Sequence, residues 1–262
     1  MGDPITGAYM IDPERFGHVA RIDSTSSELM RRPFGDRPAP PCALLADAQD
    51  GGRGRNGRRW VTAPERSIAL SVAVERAADG ASLLGLPLAV GVAVAGALAA
   101  HGASPRLKWP NDLLVPRADG LAKAGGLLVE VRQQGALQRI VVGCGLNLEP
   151  AGAPDDAALG QPAGAFFPDG GAPPRVALAR ALADAVAAAV LAFPIDGLAA
   201  SLARWRALDA LADAPVELLG PDGARTEGIA RGVDADGALR VERADGRLER
   251  VIAGEVSVRR RA

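Results

Sequence analysis

Apolar positions divide the chain into short runs, one long uncharged stretch and one helical repeat. Ala43–Ala48, running into Gln49, and Ser67–Val74 read as strands, as do Arg106–Val115, Gly126–Val131 and Ile140–Leu148, with polar loops between them. Arg175–Phe193 carries apolar residues at helical spacing, and Gly197–Leu211 follows as a second helix. The first twenty or so residues show no firm periodicity, Pro33–Pro41 is a loop, and the Gly/Pro-rich Pro150–Pro174 reads as a surface connection. From Pro215 onward the alternating runs VELL, GIARGV, ALRVE, RLERVI and EVSVR are separated by PDG, DADG and ADG turns. They predict a small all-β barrel of about 50 residues with its boundary near Asp213.

Leu83–Ala100 is an 18-residue stretch without a charge, long enough to ask about a membrane. Its Ala, Gly and Val content, with Pro87 near its start, argues instead for a helix buried on most faces. Ser82 stands where an N-cap would, and His101-Gly102 supplies the stop.

Composition narrows the classes. A net charge of −1 provides no bulk field toward nucleic acid or anionic membrane. The hydrophobic fraction of 48% suits a globular chain, which at this length buries roughly 70% of its unfolded surface. Cys42 and Cys144 form neither a disulfide framework nor a metal spacing, so a reducing cytoplasm is the expected compartment. Met1–Phe16 mixes charged residues and proline with apolar ones, unlike a secretory signal. Arginine supplies almost all the basic charge, with Lys108 and Lys123 the only lysines and Asn56, Asn111 and Asn147 the only asparagines. All five lie between 56 and 147.

Four segments in that window could carry chemistry. Gly51–Trp60 (GGRGRNGRRW) can surround an anion with backbone N–H groups and guanidinium forks, and Trp60 can stack on a planar ring. It lacks the pattern of a Walker A loop or a dinucleotide fingerprint, and a solvated basic loop is the alternative. In LKWPNDLL, Pro110 ends regular pairing and Asn111-Asp112 sits at a turn, where Asp112 could hold Mg²⁺ beside a phosphate or simply satisfy its own backbone. Lys123, in LAKAGGLLVE just ahead of an apolar strand, could offset charge on a phosphate or carboxylate, or lie along apolar surface with its amine in water. In VGCGLNL the glycines suggest close approach of a ligand or backbone, and Asn147 offers both donor and acceptor. Cys144 reads as a small core residue, with no basic neighbour to activate it.

In order and spacing, GGRGRNGRRW, LKWPNDLL, KAGGLLVE and GCGLNL resemble the successive motifs of biotin protein ligases, and Asp23–Ser27 (DSTSS) resembles that family's DSTN segment. The resemblance spans about residues 20 to 262. It implies an α+β fold, with a class II aminoacyl-tRNA synthetase-like catalytic domain (1–212, mixed sheet and flanking helices) and an SH3-like C-terminal barrel (213–262). The implied activity joins biotin to ATP with Mg²⁺, giving biotinyl-5′-adenylate, then transfers biotin to a lysine of the biotin carboxyl carrier domain of acyl-CoA carboxylases. The motifs place Ser24, Thr25, Ser26, Gln49, Arg53, Gly54, Arg55, Lys123, Ala124 and Gly125 at biotin. They place Arg53, Arg55, Arg58, Trp60, Asn111, Lys123 and Asn147 at ATP or the adenylate. Lys123 and Arg55 are the implied catalytic residues, and Asp112 the implied Mg²⁺ position.

Two departures stand out. Ser26 replaces the family's Asn in DSTN, and Asn56 fills a variable position where another basic residue can occur. Only about 20 residues precede DSTSS, so the expectation is a ligase without the DNA-binding domain of bifunctional members, taking neither DNA nor membrane as partner and acting as a monomer or homodimer. A lipoate ligase is the nearest rival, and an arginine-loop nucleotide sensor that never turns over is a rival of another class. A nucleic-acid reading rests only on Arg259–Arg261, and such a triplet is more often a solvated tail.

Overall fold

The computed structural model describes residues 9–35, 40–150, 162–220, 223–252 and 257–260. Expectations that fall on 1–8, 36–39, 151–161, 221–222, 253–256 and 261–262 lie outside the described residues. The larger unit runs β1 (Phe16–Ile22), α1 (Thr25–Arg31), β2 (Cys42–Gln49), β3 (Ser67–Ala77), α2 (Leu86–Ala99), β4 (Arg106–Lys108) and β5 (Asp112–Arg117). It continues with β6 (Gly120–Gln134), β7 (Leu137–Asn147), α3 (Arg175–Asp196) and α4 (Ala199–Leu208). Its seven strands form one mixed sheet in the order β1-β2-β3-β7-β6-β5-β4, parallel only between β1 and β2.

Period-two alternation assigns the two faces. Ile68, Leu70, Val72 and Val74 of β3 and Ile140, Val142, Cys144 and Leu146 of β7 point to one side, where they join Val90 and Val94 of α2 and Leu182 and Val186 of α3. On the other side Cys42, Leu44, Ala73 and Val141 pack beneath Leu29 of α1. Covered on both faces, these strands read as nearly continuous apolar runs. Each fully buried Leu, Ile or Val contributes about 1.5–3 kcal/mol of hydrophobic stabilisation. Arg139, 2% exposed, holds the far end of α1. Its guanidinium donates to the carbonyls of Leu29 at 2.8 Å, Arg32 at 2.6 Å and Pro33 at 2.8 Å, pairs with Glu75, and lies over the Phe34 ring.

Several local expectations are corrected. The Leu83–Ala100 helix starts at Leu86, with Pro87 in its first turn and Gly85 at the N-cap; Ser82 Oγ instead accepts from the Leu84 N–H. Arg106–Val115 is a hairpin rather than one strand, because the chain turns through Trp109–Asn111 and Lys108 pairs back against Asp112. β6 starts six residues before the expected Gly126, which places Lys123 inside a strand. β1 and α1 were not foreseen, since FGHVARI at the sheet edge buries only Phe16 and α1 is a short polar helix. The Pro150–Pro174 connection, where described, is not wholly superficial, since Phe166 and Phe167 are buried in the core. Among the described residues, α3 is the only helix long and apolar enough to cross a membrane, yet its Leu178, Leu182, Val186 and Val190 are buried in the protein.

The C-terminal runs form five antiparallel strands, β8 (Pro215–Leu219), β9 (Arg225–Val233), β10 (Leu239–Glu242), β11 (Leu248–Val251) and β12 (Ser257–Arg260), in the order β11-β10-β9-β8-β12. Val216, Leu218, Val233, Leu239 and Val241 share one buried cluster with the larger unit. The turn between β9 and β10 seats on the larger unit, where a Cβ at Gly237 would lie 2.9 Å from Gly85 Cα. Gly237 also accepts from the buried Trp109 Nε1 at 3.0 Å. At the joint between the units, Leu107 O accepts from Ala210 N and the Asp209 carboxylate accepts from Leu211 N, both at 2.8 Å. Burial pushes the Asp209 carboxyl up to about 6.

Candidate active site

On the face opposite α2 and α3, the centre of the sheet is hollow. The positions pointing there are Ala69 and Ser71 on β3 and Gly143 and Gly145 on β7. Small side chains on this face, against Leu and Val on the other, leave a cavity of about 450 Å³ beneath α1 and the Gly51–Trp60 loop. The glycines are required by their neighbours. A Cβ at Gly143 would lie 2.6 Å from Ser26 Oγ. One at Gly145 would lie 2.7 Å from Trp60 Cδ2 and 2.8 Å from Cζ2, and closer still to Cε2. The close approach expected at these positions is therefore made by the protein's own Ser26 and Trp60.

One wall is neutral and polar. Ser24 caps α1, its Oγ accepting from Ser27 N at 3.3 Å, which turns the first residues of the helix toward the sheet. Gln49 Oε1, at the end of β2, accepts from Thr25 N at 2.8 Å and from Thr25 Oγ1 at 3.1 Å. Thr25 and Ser26 hydroxyls meet Ser71 Oγ at 2.7 and 2.8 Å. Three buried hydroxyls and an amide thus form one network, suited to a neutral ligand that offers both donors and acceptors.

The Gly51–Trp60 loop is a small hairpin. Gly54 N donates to Arg58 O at 2.7 Å, Trp60 N to Gly52 O at 2.8 Å, and Arg53 bridges Arg59 around a 3-10 turn at Arg55–Gly57. This lid lays the Trp60 indole on Gly145 and sends Arg55 Nη1 to Asn111 Oδ1 at 3.2 Å. Asn111 is itself fixed, its Nδ2 donating to Leu127 O at 2.6 Å. Asn147 Nδ2 donates to Gly164 O at 3.1 Å, tying the end of β7 to the returning chain.

The opposite wall is cationic. The β4–β5 hairpin and β6 bring Lys108 Nζ to 3.6 Å from Asp112 Oδ2 and Lys123 Nζ to 2.5 Å from Asp112 Oδ1. Among the described residues, Arg55, Lys108 and Lys123 line this side of the cavity together with the Asp112 carboxylate, a lining suited to an anion. Burial lowers the pKa of Lys108, against the opposing pull of Asp112 and with the help of Lys123. Burial also lowers that of Arg55, again opposed by Asp112.

Ser24, Thr25, Ser26, Gln49, Arg53, Gly54, Arg55, Arg58, Trp60, Asn111, Asp112, Lys123 and Asn147 all line this one cavity. Ala124 and Gly125 do not: the Ala124 side chain is buried in the core, Gly125 packs against Leu146 and Gly145, and the next residue, Gly126, reaches the cavity instead. Ser71 and Lys108, which also line the cavity, were not among the expected site residues, whereas Gly143 is one of the two glycines singled out in VGCGLNL. Ser71 is the polar interruption of an otherwise apolar strand, and Lys108 is one of only two lysines, so both carried a signal. Cys144 faces the core, where burial raises its thiol to about 12.

The model of the biotin/lipoate A/B protein ligase family matches residues 19–147, and that of the biotin protein ligase C-terminal domain matches 214–259. The bifunctional ligase/repressor BirA of Salmonella typhimurium is 35% identical over 241 residues, covering 91% of this chain and 72% of the relative. The biotin–[acetyl-CoA-carboxylase] ligase of Mycobacterium tuberculosis is also 35% identical, over 91% of this chain and 86% of its own. In fold, the chain is similar to the biotin protein ligase of Aquifex aeolicus in complex with biotin and ATP, with a TM-score of 0.77 at 23% identity over 95% of this chain and 100% of that one.

Proposed function

The chain belongs to the biotin/lipoate A/B protein ligase family, and from that premise we infer that it is an ATP-dependent biotin protein ligase. It joins biotin to the α-phosphate of ATP as biotinyl-5′-adenylate, releasing pyrophosphate, and then passes the biotinyl group to a lysine of a biotin carboxyl carrier domain. The observation that carries this reading is the division of one cavity into a neutral hydroxyl and amide wall and a cationic wall that meet over a glycine floor. A ureido ring, which offers both donors and acceptors, suits the first wall, and a carboxylate beside a triphosphate suits the second.

Carboxylate attack on the α-phosphorus brings two anions together, and fixed cations lower the cost of that approach. Lys123, on β6 beside Gly126, bridges the biotin carboxylate and the α-phosphate. Arg55 approaches from the lid, and Arg53 and Arg58 extend the cationic surface. Trp60 and Asn147 frame the adenine. The lid excludes water from the mixed anhydride until the carrier lysine's amine attacks the acyl carbon and AMP leaves.

Among the described residues no group of three or more His, Cys, Asp or Glu is placed to hold a metal, and Asp112 is the only carboxylate lining the cavity. That donor set fits Mg²⁺ only as a companion of ATP: Asp112 would hold the ion, and its charge would offset that of the phosphates. We read the larger unit as related to the class II synthetase fold and the C-terminal sheet as SH3-like.

The test is pyrophosphate exchange into ATP. Exchange dependent on biotin and indifferent to lipoate supports the reading. Exchange driven by lipoate, or none with either acid, overturns it.

A further inference from the structure

Glu130 belongs to no part of the chemistry described so far. It lies on β6, on the same face as the cavity-lining Gly126 and Leu128 but two residues further along, outside the cavity. Its carboxylate receives Arg53 Nη2 at 3.0 and 3.1 Å. Arg53 is the first residue of the lid's bridged pair with Arg59, so this bond ties the lid to the sheet. The other moorings of the lid act elsewhere: Trp60 rests on Gly145, Arg55 reaches Asn111, and Arg59 donates to Asp50 O. Because Gly52–Trp60 and Gly54–Arg58 hydrogen bonds make the lid one hairpin, holding Arg53 restrains Arg55 and Trp60 as well.

We propose that Glu130 is a positioning residue for the ligase reaction, a latch that keeps the lid closed over the adenylate through Arg53. The proposal rests on reading the site as an adenylate-forming centre. The Arg53 side chain is 46% exposed and that of Glu130 24%, so the pair is open to solvent at one partner and sensitive to salt. An ion pair of this kind changes a two-state equilibrium by about threefold, not by orders of magnitude. Glu130 touches no reacting atom, so the effect falls on retention of the intermediate and leaves its formation nearly unaltered.

The experiment uses the full chain as wild type, Glu130→Gln and Glu130→Ala. Each is loaded with biotin and ATP·Mg²⁺ in a single turnover, and release of free biotinyl-adenylate is timed at low and at high salt. Both variants are expected to release about three times faster than wild type at low salt, with formation rates within twofold and melting temperatures unchanged. Salt should accelerate wild-type release more steeply than that of the variants, so that the difference narrows at high salt, a response that a merely structural role would not give. Either variant, compared with wild type across the salt series, keeps the test decisive should the other fold poorly. Release at the wild-type rate in both variants, or a wild-type rate indifferent to salt, overturns the latch. A wild type that forms no adenylate overturns the ligase reading and the latch with it.

Discussion

Gly143 and Gly145 stand two residues apart on one strand, and alanine at each should impair a different substrate. Neither has a left-handed backbone, so the main chain accepts alanine and the consequence lies in what the new methyl meets. At Gly145 it would sit 2.7 and 2.8 Å from two indole carbons of Trp60, where ordinary carbon contacts are about 3.5–4.0 Å. The ring must therefore rise by about 1 Å. Overpacking of this kind costs about 1–3 kcal/mol. Because Trp60 belongs to the lid and not to the core, that energy falls on closure over the nucleotide, about 5- to 150-fold in affinity. The melting temperature should hardly move.

At Gly143 the methyl would sit 2.6 Å from Ser26 Oγ, which can swing aside at the loss of its 2.8 Å bond to Ser71. A hydrogen bond contributes about 0.5–1.5 kcal/mol, so the expected penalty is about 2- to 10-fold and falls on biotin. The assay is pyrophosphate exchange with each substrate varied in turn. Gly145→Ala should raise KM for ATP with little change for biotin, and Gly143→Ala should do the reverse. Equal rises in both constants for both variants, or a Gly145→Ala enzyme within twofold of wild type for ATP, would refute the division of the cavity into two walls.

The remaining predictions concern charge. Lys123→Ala should lower adenylate formation by about a hundred- to a thousandfold, the range of losses for an electrostatic group acting on developing charge, while circular dichroism and melting stay near wild type; Lys123→Arg should rescue little. Asp209→Asn should stabilise the protein at neutral pH. The folded-state pKa of about 6 exceeds the ordinary 3.8, so ionisation costs stability progressively as pH rises from about 4 to 6 and fully above that. The gain should be about 2–3 kcal/mol at pH 7.5 by urea unfolding and vanish near pH 4; a gain equal at both pH values would sink the assignment. Arg139→Met leaves Glu75 and the carbonyls of Leu29, Arg32 and Pro33 without their cation and should destabilise by about 3–5 kcal/mol. A loss below about 1 kcal/mol in urea unfolding would count against it.

What the residue pattern made legible was whatever repeats locally. The central strands β2, β3 and β7, the helices α2 and α3, and the small C-terminal strands follow from apolar periodicity and turn residues. β1 and α1 were illegible for opposite reasons. β1 sits at a sheet edge and buries little, while α1 is specified by its Ser24 cap and by Arg139, more than 100 residues away in the chain. Most of the cavity-lining residues stand inside recognisable motifs, but periodicity did not say which wall of the cavity each would take. That choice depends on which face of β3 and β7 each residue takes, and a run of small and apolar residues buried on both faces does not announce it. Ala124 and Gly125 illustrate the limit: a register shift in the β5–β6 ladder between Leu113 and Leu114 leaves Gly126, and not its two predecessors, at the cavity.

The same geometry explains why lysine survives at only two positions in an arginine-rich chain. Lys108 on β4 reaches Asp112, its register partner on β5, and Lys123 reaches the other carboxylate oxygen from β6, with side chains only 10% and 19% exposed. An ammonium group is compact and needs few partners, whereas a guanidinium is a wide plane with five donors. Arg139 shows what a buried guanidinium requires in this fold: three backbone carbonyls, a carboxylate and an aromatic face. Around Asp112 those acceptors would have to come from the space that the substrates need. Arg55 escapes the constraint because it enters from the lid, where its bond to Asn111 holds it. Arginine therefore serves wherever the surface or a full set of acceptors gives it room. Lysine remains where two cations meet at Asp112 and must still leave a cavity.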